Sequence, residues 1–210
     1  MAEGAINTFA TLFVVIDPIG TAPLFIALTA GMAAQDRRRV ALRAVGIATG
    51  VLLLFAFAGE AVLGFVGISM PAFRIAGGIL LFLTAIDMLF ETRTERREKR
   101  VEDERATADD PSVFPLAIPL ISGPGAIAAM ILLMGGREGD PAGQAVVVGS
   151  MLSVMAITYG VFLLGAPIER ALGRTGVMVL TRLFGMLLAA LAVQFVIDGV
   201  DQIAGRALGG

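Results

Sequence analysis

The chain contains no cysteine, no histidine and no tryptophan, and Tyr159 is its single tyrosine. Without cysteine there is no disulfide and no thiol redox chemistry. Without cysteine or histidine, zinc sites of the usual kind and an imidazole proton relay are excluded too. Any proton handling falls to carboxylates. Charge is also scarce: 16% of the 210 residues are charged, with a net charge of −2. No basic stripe with interleaved aromatics is present, so nucleic acid is not an expected partner. The apolar runs hold no His-Glu zinc motif, Ser/Lys dyad or paired aspartates, which argues against an enzyme. No cofactor is expected, save a coupling H⁺ or Na⁺. The N-terminus lacks the basic region of a cleavable signal peptide, so the first apolar run is expected to stay in the mature protein.

Apolar sequence is what the chain has in excess: 57% of residues are hydrophobic and 26 are glycine. Six apolar segments are legible, at about 6–30, 40–66, 71–90, 113–135, 144–168 and 177–200. Each is close to the roughly 20 residues that carry a helix across a bilayer. The expected fold is therefore all-α, a polytopic membrane protein of six transmembrane helices with the lipid bilayer as its solvent. Arg37, Arg38, Arg39, Arg43, Arg93, Arg96, Arg97, Lys99, Arg100, Arg105, Arg170, Arg174 and Arg182 then share one side, leaving Arg74, Arg137 and Arg206 on the other. The positive-inside rule puts that larger group in the cytoplasm and both termini outside. A re-entrant fourth segment would move the Arg170–Arg182 group outside and is disfavoured on that ground.

Two of the apolar runs are interrupted. Asp17-Pro18-Ile19-Gly20 lies inside the first, and Ser122-Gly123-Pro124-Gly125 inside the fourth, where Pro115 and Pro119 also distort the stretch before it. A carboxylate at membrane depth costs about 2.5–3.5 kcal/mol on insertion scales and commonly marks a cavity or a path. Asp and Ser are preferred N-caps, and Pro suits the first helical position. Asp17 and Ser122 are therefore each expected to open a half-helix near the midplane. The free N–H groups and positive dipole ends of such half-helices suit an anion such as a carboxylate. Gly20, Gly123 and Gly125 permit close approach. Asp17 supplies a negative charge for an ammonium group, a proton or a cation. A capping role for Asp17, and a packing kink at Gly123-Pro124-Gly125, are the plainer readings of the same residues.

The two halves also align. Ile16–Gly20 matches Ile121–Gly125, Glu60–Gly64 matches Glu169–Gly173, Arg74 matches Arg182, and Asp87 matches Asp198, all in the same order. Three spans per half make the second copy inverted, an arrangement that places a site near the midplane on discontinuous helices. The organisation read from this is 1–90 as the first three-helix repeat, 91–112 as a charged cytoplasmic linker, and 113–210 as the second, inverted repeat. Glu60 and Glu169 are expected to anchor at interfaces or pair with Arg74 and Arg182.

At these residues the chain resembles the MarC family of bacterial inner-membrane proteins. The matching stretches are DPIGTAPLF (Asp17 to Phe25), FPLAIPLISGPGAI (Phe114 to Ile127) and RIAGGILLFLTAIDM (Arg74 to Met88). The resemblance implies a six-span protein of the bacterial inner membrane, distantly similar to the LysE exporter superfamily, whose members also carry a Pro-Gly-Pro-type break. Some relatives look like transporters of small neutral amino acids such as glycine and alanine. Carried over by motif, Asp17, Pro18, Gly20 and Pro23 would form one broken-helix site and Gly123, Pro124 and Gly125 the other. Family members often place a hydroxyl residue shortly after the second motif, whereas this chain has Ala126, Ile127, Ala128 and Ala129. That leaves backbone groups and Ser122 to meet a solute there.

The expected function is a secondary transporter of a small zwitterionic solute, glycine- or alanine-like, by alternating access of the two repeats. A small-cation, metabolite or drug exporter is one alternative, and a non-transporting membrane protein acting through the 91–112 linker is another. A homo-oligomer is left open by the sequence.

Overall fold

The computed structural model describes residues 2–90 and 110–208. Among them every regular element is helical: α1 (Ala2–Ile16), α2 (Pro18–Leu28), α3 (Ala34–Val66), α4 (Met70–Leu89), α5 (Ser112–Ile121), α6 (Pro124–Gly135), α7 (Pro141–Leu163) and α8 (Gly165–Leu208). α5 is a π-type segment carrying Pro115 and Pro119, each after a cis peptide bond, and α8 turns at Gly173. Most of the expected linker, residues 91–109, lies outside the described residues.

The helices form because the bilayer leaves the backbone no other donor or acceptor. Polar side chains within them also satisfy themselves locally. Thr8, Thr11, Thr29 and Thr158 each donate to the carbonyl four residues back at 2.8 Å. α3 and α8 outrun their apolar segments, because charged turns at the water interface still propagate a helix. α3 ends where Gly67 adopts φ 81°, with its N–H on Gly64 and that of Ile68 on Leu63, a Schellman finish.

The direction of crossing follows from one tight helix pair. A Cβ on Gly78 of α4 would stand 2.8 Å from the Ala192 carbonyl oxygen of α8. A Cβ on Gly185 would stand 3.0 Å from Met88 Cβ, and one on Gly199 2.7 Å from Ile75 Cγ1. Early α4 thus meets late α8 and the reverse, so the two helices are antiparallel, with small residues letting their backbones approach. That order fits six crossings. If α5–α6 entered and left on one side, α8 would cross in the same direction as α4. The bend of 56° between α5 and α6 agrees with a broken span rather than a hairpin.

The core gathers around the interrupted helices. Leu12, Ile16, Phe25, Leu52, Leu81, Met88, Leu116, Ile121, Met130, Met151 and Phe162 are buried there. The outer faces of α3 and α8 are apolar and exposed (Leu54, Phe57, Phe65, Leu183, Leu187, Ile197), as a lipid-facing surface requires.

Candidate functional site

Asp17 is the first interruption, and it is 1% exposed. It adopts the left-handed conformation (φ 55°, ψ 64°), uncommon outside glycine but tolerated by aspartate. Its Oδ1 accepts from the Gly20 N–H at 3.0 Å, capping α2. Its carbonyl accepts from both the Thr21 N–H (3.1 Å) and the Thr21 hydroxyl (3.0 Å). Pro18 carries no N–H, so the Val14 carbonyl loses the donor that a continuous helix would supply. Because the Asp17 N–H still reaches Phe13 at 2.9 Å, the interruption is confined to one residue, and Gly4–Leu28 runs on as one span. Gly20 has to be glycine: a Cβ there would collide with the Asp17 carboxylate.

The second interruption is built differently, and here the sequence-based expectation needs correcting. Ser122 is not the cap of α6. Its hydroxyl donates back to the Ala117 carbonyl at 2.7 Å, beside its own N–H at 2.9 Å, so Ser122 closes α5 instead. The residue preceding α6 is Gly123, extended (ψ 171°), with Pro124 in the first turn and no side-chain cap. Extended Gly123 carries the chain off the α5 axis, so the Ser122 side chain lies on the wrong side of the turn to reach the α6 N–H groups. A Cβ on Gly123 would stand 2.6 Å from the Pro119 carbonyl oxygen, which fixes glycine at that position. The two breaks, read as equivalent in sequence, therefore differ: one is a capped single-residue interruption, the other a bend opening on an uncapped helix start.

They are nonetheless neighbours. The Cβ direction of Gly125 points 3.6 Å from Val15 Cγ1 of α1, 3.5 Å from Leu81 Cδ2 and 3.4 Å from Thr84 Oγ1 of α4. Val15 is two residues before Asp17 and Gly125 three after Ser122, so both breaks meet inside the molecule, not on opposite faces. Ser122 (1% exposed) and Pro18 are also buried, while Gly20 is half-buried. The structure thus sets Gly125 against α1 two residues ahead of Asp17, while α2, with Pro18 and Gly20, packs on α5, α7 and α8. Thr84 is a neighbour that sequence reasoning missed. It supplies from α4 the hydroxyl that the alanines after Gly125 cannot, although its own proton goes to the Leu80 carbonyl at 2.9 Å. It lies within the stretch from Arg74 to Met88, but nothing in that stretch marked its approach to Gly125 from another helix.

Other expected pairings fall out differently. Glu60 stands beside Glu138, not Arg74. The Arg74 guanidinium lies by Gly136 at the C-terminus of α6, 3.6 Å from a Cβ placed there, and its Nε has no partner among the described residues. A cation there complements the negative end of the α6 dipole. Asp198 accepts from Gln194 at 2.7 Å. The Glu169 side chain lies outside the described residues. No group of acidic residues that could hold a metal occurs among the described residues.

The comparisons with known proteins agree with this architecture. The chain matches the family described as MarC family integral membrane protein over residues 3–204. It is 40% identical to a UPF0056 membrane protein of Archaeoglobus fulgidus, over 93% of this chain and 91% of that one. It is 38% identical to a UPF0056 membrane protein of Methanocaldococcus jannaschii, over 93% of this chain and 95% of the relative. The UPF0056 membrane protein YvbG of Bacillus subtilis is 34% identical, with 93% of each chain covered. No solved structure matches the chain. With a match of this extent, and five helices long and apolar enough to span a bilayer beside the bent α5–α6 pair among the described residues, the chain belongs to the MarC family of integral membrane proteins.

Proposed function

We propose that the protein is a secondary transporter of small neutral amino acids, glycine- or alanine-like, acting by alternating access around the two adjoining breaks. One observation carries the reading. Val15, two residues before the buried Asp17, lies against Gly125 in the first turn of α6, a helix with no side-chain cap. A fixed negative charge beside a positive helix end complements the ammonium and carboxylate of a zwitterion. In this reading Asp17 meets the ammonium group or a coupling H⁺ or Na⁺, and the N–H groups of Gly125 and Ala126 meet the carboxylate. The Thr84 oxygen lies within reach as an acceptor. The close fit of Val15, Leu81 and Thr84 around Gly125 favours a solute with little or no side chain.

The inverted repeat receives support from packing. α1 packs on α7 while its counterpart α5 packs on α3, and α2 packs on α8 while its counterpart α6 packs on α4. Reciprocal pairs of this kind are what two copies related by an in-plane twofold would make. The bacterial inner membrane, with both termini outside, is the orientation favoured by the arginine distribution.

The test is uptake of radiolabelled glycine and alanine into proteoliposomes under a proton or a sodium gradient. Uptake by the wild-type protein that is lost in Asp17→Asn supports the proposal. A second reading, a small-cation carrier, rests on the same buried carboxylate. It predicts thermal stabilisation by the cation alone, with no response to amino acids.

A further inference from the structure

At the end of α2 away from the break, Phe25 and Phe162 of α7 lie face to face, centroids 4.4 Å apart and planes within 1°. Both are buried, at 1% and 0% exposure, although they sit in the last turns of helices that end at the water interface. The Arg37 guanidinium covers the outer face of Phe25 at 5.9 Å, and Arg38 Nε donates to the Tyr159 hydroxyl at 3.2 Å. Two arginines of α3 therefore tie down the same α2–α7 contact from its arginine-rich side.

Behind the rings the lining changes character. Asp17, Thr21 and Phe25 recur every fourth residue on α2, and Thr158 precedes Phe162 by four on α7, so both helices present one stripe. The start of α1 lies by Arg137, close to the start of α7, so α1–α2 and α7 run parallel. The register that stacks Phe25 on Phe162 therefore sets Thr21 opposite Thr158 one turn deeper. Both threonines are fully buried. The rings lie about 12 Å along α2 from Asp17, at 1.5 Å per residue.

We infer that the Phe25–Phe162 stack is the gate on the arginine-rich side of the passage, with Thr21 and Thr158 lining the route between the gate and the break. This rests on the transport reading of the site. Toward the opposite end, Ile131 of α6 packs against Gly59 of α3, where a Cβ would stand 2.5 Å from Ile131 Cγ1.

Because the chain has no cysteine, Thr158→Cys provides a unique thiol behind the gate. Its rate of modification by a charged, membrane-impermeant methanethiosulfonate is measured in the purified full chain. Phe25→Ala should raise that rate at least tenfold. Phe25→Leu, which is gentler on folding, should raise it severalfold. Phe13→Ala removes a ring of the partly buried Phe13–Phe184 pair and should leave the rate unchanged. An unchanged rate in both Phe25 variants, or an equal rise with Phe13→Ala, overturns the gate. Glycine and alanine flux measured in the same preparations reports on the transport reading separately: wild-type protein without flux sinks that reading, while the labelling still decides whether the rings close a passage.

Discussion

Asp17 and Asp140 use the same local chemistry in two environments. Each precedes a proline, and each accepts from the N–H of a glycine three residues on at 3.0 Å; in both cases a Cβ on that glycine would collide with the carboxylate. The Asp140 side chain is 52% exposed, and capping with a loose ion pair to Arg137 at 3.9 Å accounts for it. Asp17 is buried at the breaks, where an asparagine could cap as well without the cost of a charge. In the proposed function the carboxylate, not the cap, is what the solute meets. Asp17→Asn should therefore keep its thermal midpoint within a few degrees while glycine flux falls at least tenfold. Asp140→Ala should lower stability by about 1 kcal/mol, the usual worth of an N-cap, and leave flux intact; unfolding and flux assays on both variants check the pair. Gly20→Ala should lower stability more than Asp140→Ala, because the new methyl displaces the Asp17 carboxylate from its cap. At the start of α5, Asp110 accepts from the Ser112 hydroxyl at 2.6 Å and the Ser112 N–H at 3.0 Å, and pairs with Arg43 at 2.9 Å. The Ser112 hydroxyl, ahead of the Ser112 N–H and Arg43, holds the Asp110 carboxyl below its ordinary value against the opposing effect of burial. A depressed carboxyl contributes stability that is complete above the ordinary carboxylate value, about 3.9, and is lost as pH falls through the folded one. Melting curves should show the Asp110→Asn penalty constant from pH 5 to 8 and shrinking at more acidic pH.

At the scale of the element, the spans were legible because lipid demands length and apolarity, and both are written in composition. The break at Asp17 was equally legible, since Asp-Pro inside an apolar run leaves a helix few alternatives. The second break was located correctly, but its cap was not. Whether Ser122 caps the helix after it or closes the segment before it depends on the extended Gly123 and on the bonding to Ala117, which composition does not encode. Thr84 and Val15 escaped notice for a related reason: each reaches the site from another helix, and only packing brings them to Gly125. The α4–α8 pair makes a prediction of its own. Gly78 faces the α8 backbone so closely that Gly78→Leu forces the helices apart, and such overpacking costs about 1–3 kcal/mol or more. The variant should unfold at markedly lower temperature than Gly149→Leu, whose site has open space around it.

At the scale of the whole molecule, two features combine. α4 and α8 form a close-packed antiparallel pair with the apolar outer faces of α3 and α8 toward lipid. The interrupted helices meet within, where Gly125 at the start of α6 lies against Val15, two residues ahead of the buried Asp17. In the proposed cycle, the stacked rings on the arginine-rich side would have to part to open the break to that side. The measurement that bears most directly on the account is glycine and alanine accumulation in proteoliposomes, wild type against Asp17→Asn, under an imposed proton or sodium gradient. The account predicts gradient-dependent accumulation by the wild-type protein and its loss in the variant. Accumulation undiminished in Asp17→Asn, or none by the wild-type protein under either gradient, would contradict it.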